Sequence, residues 1–241
     1  MSKFQIACVP KHRSSEHLFV MKSVIEVFKA KGKGLLLTSF DIKTFFDSEK
    51  IFDCMKELHN SEVKGKIYRL IYEMNKNIKI RVKTPLGMTE TKEAGTGPSQ
   101  GSVDAALISA NSIRNGLKEA LNEEDKELKY NESLVLSGLS FMDDIGRMSE
   151  DRDKAQYGND RIEDMINRKG LEFNLDKSNF LLIGNKRELK RMQKELDANP
   201  LKLCSVDMKQ VKVLKYLGDF LTSDLAESVH ETVPKRVNTA T

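Results

Sequence analysis

Cysteine is scarce in this chain. Its three residues, Cys8, Cys54 and Cys204, are odd in number, scattered and without metal-ligand spacing. That excludes a disulfide framework and points to buried thiols in a reducing, intracellular setting, with cytoplasm and nucleus not distinguished. The four histidines (His12, His17, His59, His230) show no ligand spacing either. No apolar stretch approaches the roughly 20 residues that cross a bilayer, so no membrane partner is expected. The opening MSKFQIACVPKHRSS has no signal-peptide core. Internal repeats and low-complexity tracts are absent. Charge of one sign is also lacking: 40 basic against 36 acidic residues leave a net +4, which permits a phosphate-rich partner without demanding one. What is present, 39% hydrophobic and 32% charged residues over 241 positions, describes a soluble globular chain able to bury a core in one large domain or two small ones.

The pattern alternates helices and strands. Apolar residues at helical spacing (Leu18, Met21, Val24, Ile25, Phe28) predict a helix over about 17–29, broken by Lys31-Gly32-Lys33-Gly34. Leu35 to Phe40 reads as a short buried strand, and Ser48 as the N-cap of a helix to about Leu58. A further helix spans roughly 63–74, and 77–83 alternates as a strand. The glycine-rich Gly95 to Gly101 opens a helix from about Val103 to Ala120. A hairpin turns at Met142-Asp143-Asp144. Helices at 152–168 and 187–196, a strand at 180–183 and a hairpin at 211–221 complete the reading. The class is α+β, with helices packed on one face of an antiparallel sheet.

Two acidic clusters carry the chemistry. FDIKTFFDS (Phe40 to Ser48) places Asp41 after an apolar run, and SFMDDIGRM (Ser140 to Met148) sets Asp143-Asp144 between apolar neighbours, 102 positions from Asp41. A carboxylate at the end of a buried strand is unfavourable unless compensated, and like charges raise one another's pKa. A divalent cation is the natural compensation, and few, hard oxygen ligands with room for water and phosphate suit Mg2+. Two such ions about 3.5–4 Å apart clamp the attacking and leaving oxygens in nucleotidyl transfer. Asp is also a common turn residue, so each aspartate taken singly reads as an ordinary turn acid; the arrangement of three favours metal.

Four more segments stand in order with these: QIACVPKHRSS (5–15), GPSQGSVDAALIS (97–109), GLEFNLDKSNFLLIG (170–184) and VLKYLGDFL (213–221). Together, over nearly the whole of residues 5–221, they resemble the palm of reverse transcriptases, and among these the non-LTR (LINE-type) retrotransposon branch. The resemblance implies a right-hand polymerase palm with partial fingers, carrying out RNA-directed DNA synthesis with two Mg2+ ions, Mn2+ being an alternative. The partners it implies are an RNA or DNA template with its primer, and deoxynucleoside triphosphates. It makes Asp41 and Asp143 the principal metal ligands, Asp144 an adjacent one, and the carbonyl of Ile42 a further donor. Phe46 takes the aromatic gate that crowds a ribose 2′-OH, with Phe45 as core. Gln100 and Gly101 line the incoming nucleotide, Lys177 stands near the triphosphate, and Lys11 and Arg13 belong to the fingers. Tyr216, Leu217 and Gly218 form the primer grip. On the residues alone, Lys177, Lys11 and Arg13 serve equally well as solvated surface cations, and the run 186–194 reads as a solvated helix face.

The chain departs from the family pattern in SVDAALIS after Gln100-Gly101, where many relatives have Ser-Pro, in the charge of Asp104, and in Ala7-Cys8 for Gly-Phe. The expected division is 1–34 partial fingers, 35–223 palm with inserted fingers elements, and 224–241 the start of an incomplete thumb, with thumb and other domains missing. Two other functions compete: a degenerate or domesticated retroelement remnant that binds without polymerising, and a nucleotide cyclase, which would share the carboxylates but lack the QG and YLG segments.

Overall fold

A computed structural model describes residues 5–9, 11–93, 97–98, 102–121, 136 and 138–222. In chain order the elements are α1 (Ser14–Ala30), β1 (Leu35–Phe40), α2 (Phe45–Ser48), α3 (Ile51–Asn60), α4 (Gly65–Asn75), β2 (Lys79–Ile80), β3 (Lys83–Thr84), β4 (Gly87–Met88), β5 (Lys92–Glu93) and α5 (Val103–Leu121). Then follow β6 (Gly138–Phe141), β7 (Asp144–Ser149), α6 (Arg152–Arg168), β8 (Asn179–Ile183), α7 (Lys186–Ala198), β9 (Lys202–Leu203), β10 (Val206–Asp207), β11 (Lys209–Gln210), β12 (Val213–Tyr216) and β13 (Asp219–Thr222).

The apolar run Leu35-Leu36-Leu37 becomes the middle of a five-stranded sheet, ordered β11-β8-β1-β7-β6. All six residues of β1 are buried, as expected of a strand covered on both sides. Side-chain alternation splits it. Leu35 and Leu37 join Met21, Val24, Ile25 and Phe28 of α1 and Leu214, Tyr216 and Leu221 of the last hairpin. Leu36 meets Met192 and Leu196 of α7, and Phe40 meets α5 and α6 through Ile113, Leu117, Ile162 and Ile166. Burying side chains of this size contributes about 1.5–3 kcal/mol each.

The α+β palm is observed, with amendments. Helices cover both faces of the sheet, because β1 sends apolar side chains to each, Leu35 and Leu37 to one and Leu36 and Phe40 to the other. The sheet is mixed: β11 runs parallel to β8, while the pairs β8–β1, β1–β7 and β7–β6 are antiparallel. Ser48 does not start a helix. It closes the short α2, and buried Glu49 is extended at φ −67, ψ 137, so that α3 begins at Ile51 after Lys50. The alternating stretch 77–83 yields two exposed two-residue pairs, β2 with β5 and β3 with β4. The thumb expectation falls at 224–241, outside the described residues.

Candidate active site

Strand pairing brings the acidic clusters together. Phe40 of β1 pairs with Ile145 of β7, and Ser39 pairs with Gly146 and, on its other side, with Asn179 of β8. Asp41 therefore emerges one residue beyond the sheet, beside the turn that joins β6 to β7. Its backbone is fixed on both sides: the Asp41 N–H donates to Ser178 Oγ at 3.1 Å, and its carbonyl accepts from the Asn174 N–H at 2.8 Å. Ile42 pairs in an isolated bridge with Phe173, where Lys43 N–H donates to the Glu172 carbonyl. The Ile42 carbonyl points away from that ladder, as alternation requires.

Phe141 pairs with Asp144, so Met142 and Asp143 are the two central residues of a tight hairpin turn. Met142 adopts φ 59, the left-handed value that such turns require of their first central residue and usually give to glycine. For an L side chain this costs roughly 1–2 kcal/mol.

Asp41 and Asp144 line one open cleft of about 620 Å³, together with Ser39, Asp176, Lys177, Asn179, Lys215, Leu217 and Gly218. Asp143 lies in the turn and is not among the lining side chains, but its charge is felt there. Burial, with the Asp143 and Asp41 charges added, pushes the Asp144 carboxyl up to about 6, against a smaller opposing effect of Lys215. Burial and the Asp41 charge also raise Asp143. Among the described residues no three acidic, histidine or cysteine side chains close on one point as a finished cage. The geometry is thus an open set of oxygen donors with unbalanced negative charge. That donor chemistry fits a hard divalent cation whose remaining positions go to water or phosphate.

The far wall is the hairpin β12–β13. Alternation turns Leu214 and Tyr216 inward and Lys215 outward. Tyr216 is 1% exposed, and its hydroxyl donates to the Leu139 carbonyl at 3.1 Å. Its ring lies where a side chain at residue 146 would be: a Cβ on Gly146 would stand 3.0 Å from Tyr216 Cζ. The Tyr216 side chain thus anchors the hairpin to the sheet, and of the Tyr216-Leu217-Gly218 trio, Leu217 and Gly218 line the cleft. A second tie joins Lys22 of α1 to Asp219 at 2.6 Å.

Phe45 is 3% exposed and belongs to the core, while Phe46 is half-buried against it, ring centroids 5.4 Å apart. Gly97 seats on this segment: at φ +78, a Cβ there would lie 1.9 Å from the Phe46 carbonyl oxygen. Gln100 and Gly101 lie outside the described residues. Asp104, at the start of α5, accepts from Asn75 Nδ2 at 2.5 Å and from the Ser102 hydroxyl, so its charge caps local structure. Lys11 (φ 68) and Arg13 are exposed before α1 and do not line the cleft. Sequence reasoning missed Asp176, Asn179 and Lys215. For Lys215 the signal was available, since it is the outward residue between two apolar ones.

The family described as Reverse transcriptase (RNA-dependent DNA polymerase) matches residues 1–219. No curated protein matches. Among solved structures the chain is similar to apo telomerase from Candida tropicalis truncated from its C-terminal domain, with TM-score 0.60, 12% identity and coverage of 88% of this chain and 39% of that one. It is also similar to telomerase from Candida albicans in complex with a TWJ fragment of telomeric RNA, with TM-score 0.61, 11% identity and coverage of 88% and 33%. The chain thus spans between a third and two-fifths of those proteins, and at such identity the likeness concerns the fold. The family match over 219 residues and the palm, with its strand-end and turn aspartates facing one cleft, agree: this chain belongs to the reverse transcriptase family.

Proposed function

We propose that the cleft is a polymerising centre of the non-LTR (LINE-type) kind, in which the 3′-OH of a primer on an RNA or DNA template attacks a deoxynucleoside triphosphate. The observation that carries this reading is the meeting of Asp41 and Asp144 across a cleft closed by Leu217 and Gly218. Asp41, Asp143 and Asp144, with the Ile42 carbonyl, would hold two Mg2+ ions. When bound, these stabilise charge on the attacking and leaving oxygens. The chain's own work is placement, since alignment and charge stabilisation supply most of phosphoryl-transfer catalysis. Lys177 offers a cation to the triphosphate, and Leu217 with Gly218 backs the primer end. The division into partial fingers, palm and the beginning of a thumb is part of the same proposal. The test is extension of a labelled DNA primer on an RNA template with Mg2+. Extension that disappears with EDTA is expected, whereas tight template binding without extension would favour the remnant that no longer polymerises.

Sugar selection gives a second expected result. Half-buried Phe46 is the residue we assign to excluding bulk at the sugar, and buried Phe45 belongs to the core. Phe46→Ala should raise ribonucleotide incorporation relative to deoxyribonucleotide by about tenfold, the order of effect expected from one steric contact. Phe45→Ala should mainly cost about 3 kcal/mol of stability, read as a lower melting temperature. If Phe45→Ala moves the sugar ratio and Phe46→Ala does not, the gate is assigned one residue too late.

A further inference from the structure

The amide of Gln5 is 0% exposed and is spent almost wholly on the aspartate turn. Its Nε2 donates to the Met142 carbonyl at 3.1 Å and to Ser140 Oγ at 3.0 Å. Its Oε1 accepts from the Met142 N–H at 3.2 Å and from the Ala7 N–H at 2.9 Å. The Ser140 hydroxyl also donates to the Met142 carbonyl, at 3.1 Å. Residue 5 is bridged in parallel to Ser140 along the outer edge of β6, beside which no other strand of the sheet lies among the described residues. One side chain thus satisfies both backbone polar groups of Met142, the residue in the left-handed conformation, across 137 positions of sequence.

We infer that Gln5 is a positioning residue for the metal-binding turn, an inference that rests on the reading of Asp143 and Asp144 as metal ligands. The reasoning is geometric. A two-residue turn has few internal restraints, and rotation of its Met142-Asp143 peptide swings Asp143 and Asp144 with respect to Asp41. A metal site tolerates only about 0.5 Å of such displacement. A buried amide bonded to both sides of the left-handed residue fixes that rotation. An unmatched polar pair at the same place would be unfavourable by itself, so the clamp and the turn conformation support each other. Gln5 would then act on the affinity for metal rather than on the nucleotide, which it does not touch.

The experiment uses the whole chain and three variants: Gln5→Met, which keeps bulk and removes the amide, Met142→Gly, which removes the need for a clamp by accepting positive φ freely, and the double variant. Mn2+ binding is titrated by electron paramagnetic resonance, amide exchange is followed over 140–146, and the Mg2+ concentration for half-maximal extension is measured beside the KM for deoxynucleotide. Gln5→Met is expected to weaken Mn2+ binding about tenfold, to speed exchange in the turn and to leave KM nearly unchanged; adding Met142→Gly should return Mn2+ binding to within about threefold of the parent. A lower melting temperature with an unchanged Mn2+ titration would overturn the inference, and so would a loss that Met142→Gly does not restore. Should Gln5→Met fail to fold, Gln5→Asn, which withdraws the amide by one methylene, is read by the same two criteria. A parent chain that binds Mn2+ through this turn yet extends no primer would sink the polymerase reading and leave the clamp standing.

Discussion

In metal-free buffer at neutral pH, Asp143→Asn should melt at a higher temperature than the parent chain and, in Mg2+, extend no primer. The two effects have one cause. Asp144 is pushed up to about 6 by burial and by the charges of Asp143 and Asp41, and Asp143 is raised by burial and by Asp41. A carboxyl whose folded pKa exceeds its unfolded value binds more protons in the folded state between the two. Its contribution is least unfavourable when protonated and becomes destabilising as pH rises through that window. From near 4 to about 6, the metal-free parent should therefore lose stability as pH rises. Solvent still reaches these groups, so the discounted effect is on the order of 1 kcal/mol, less than the raw shift would give. The asparagine removes one charge and with it Asp143's own part of the slope, while burial keeps Asp144 raised. Added Mg2+ should raise the parent's melting temperature and not the variant's, since only the parent's folded state gains a ligand. Thermal melts at pH 5 and 7.5, with and without Mg2+, read all of this. A variant with parent-like extension would end the assignment of Asp143 to the metal.

Gly97→Ala should be among the most damaging single methyls in the described part of the chain. Two separate penalties fall on it. The backbone at φ +78 is left-handed, and the new Cβ would stand 1.9 Å from the Phe46 carbonyl oxygen, with the Phe46 carbonyl carbon at 2.9 Å and Asp47 Cα at 3.1 Å. These are backbone atoms, unable to rotate aside. Strain and overpacking together cost roughly 2–4 kcal/mol. Gly65 supplies the control: its φ is likewise left-handed, at +69, but nothing lies within 4 Å of its Cβ position, so Gly65→Ala should lose only the conformational part, about 1 kcal/mol. Displacing the Phe46 segment should also lower extension by about 100-fold, the usual effect of moving a positioning group by an ångström. Equal melting temperatures for the two alanine variants would show that the 97–98 segment does not rest on Phe46.

Much of the fold could be read from local pattern. The helical spacing of Met21, Val24, Ile25 and Phe28 gave α1 its buried stripe, and Leu35-Leu36-Leu37 gave the central strand because a run apolar at every position must be covered on both sides. The same run, read fully, already called for helices on two faces. Ser48 misled because a serine before an apolar run resembles an N-cap, whereas the chain here turns earlier, through left-handed Thr44. The parallel strand β11 is two exposed polar residues held by backbone bonding, which leaves no trace in side-chain pattern. In the site, Asp41 and the Asp143-Asp144 turn were legible because carboxylates beside apolar strand ends are unusual. That the Tyr216 ring turns into the sheet was also legible, from its alternation with Leu214. Gln5 was not legible: a side chain bonding to backbone 137 positions away follows no spacing rule.

The order β8-β1-β7-β6 has a consequence for how this protein comes into being. Asp41 and Asp144 meet only because β1 pairs with β7, and β1 is held on its other side by β8, so the central contacts join residues separated by roughly 100 to 150 positions. Loop-closure entropy must be met before such pairings give any return, and chains dominated by them fold slowly. During synthesis, then, the first aspartate leaves the ribosome long before its partners exist. Through that interval β1, apolar on both faces and open at both edges, is a template for wrong pairing with other chains. Refolding yield should accordingly fall with protein concentration more steeply than for a helical bundle of the same length.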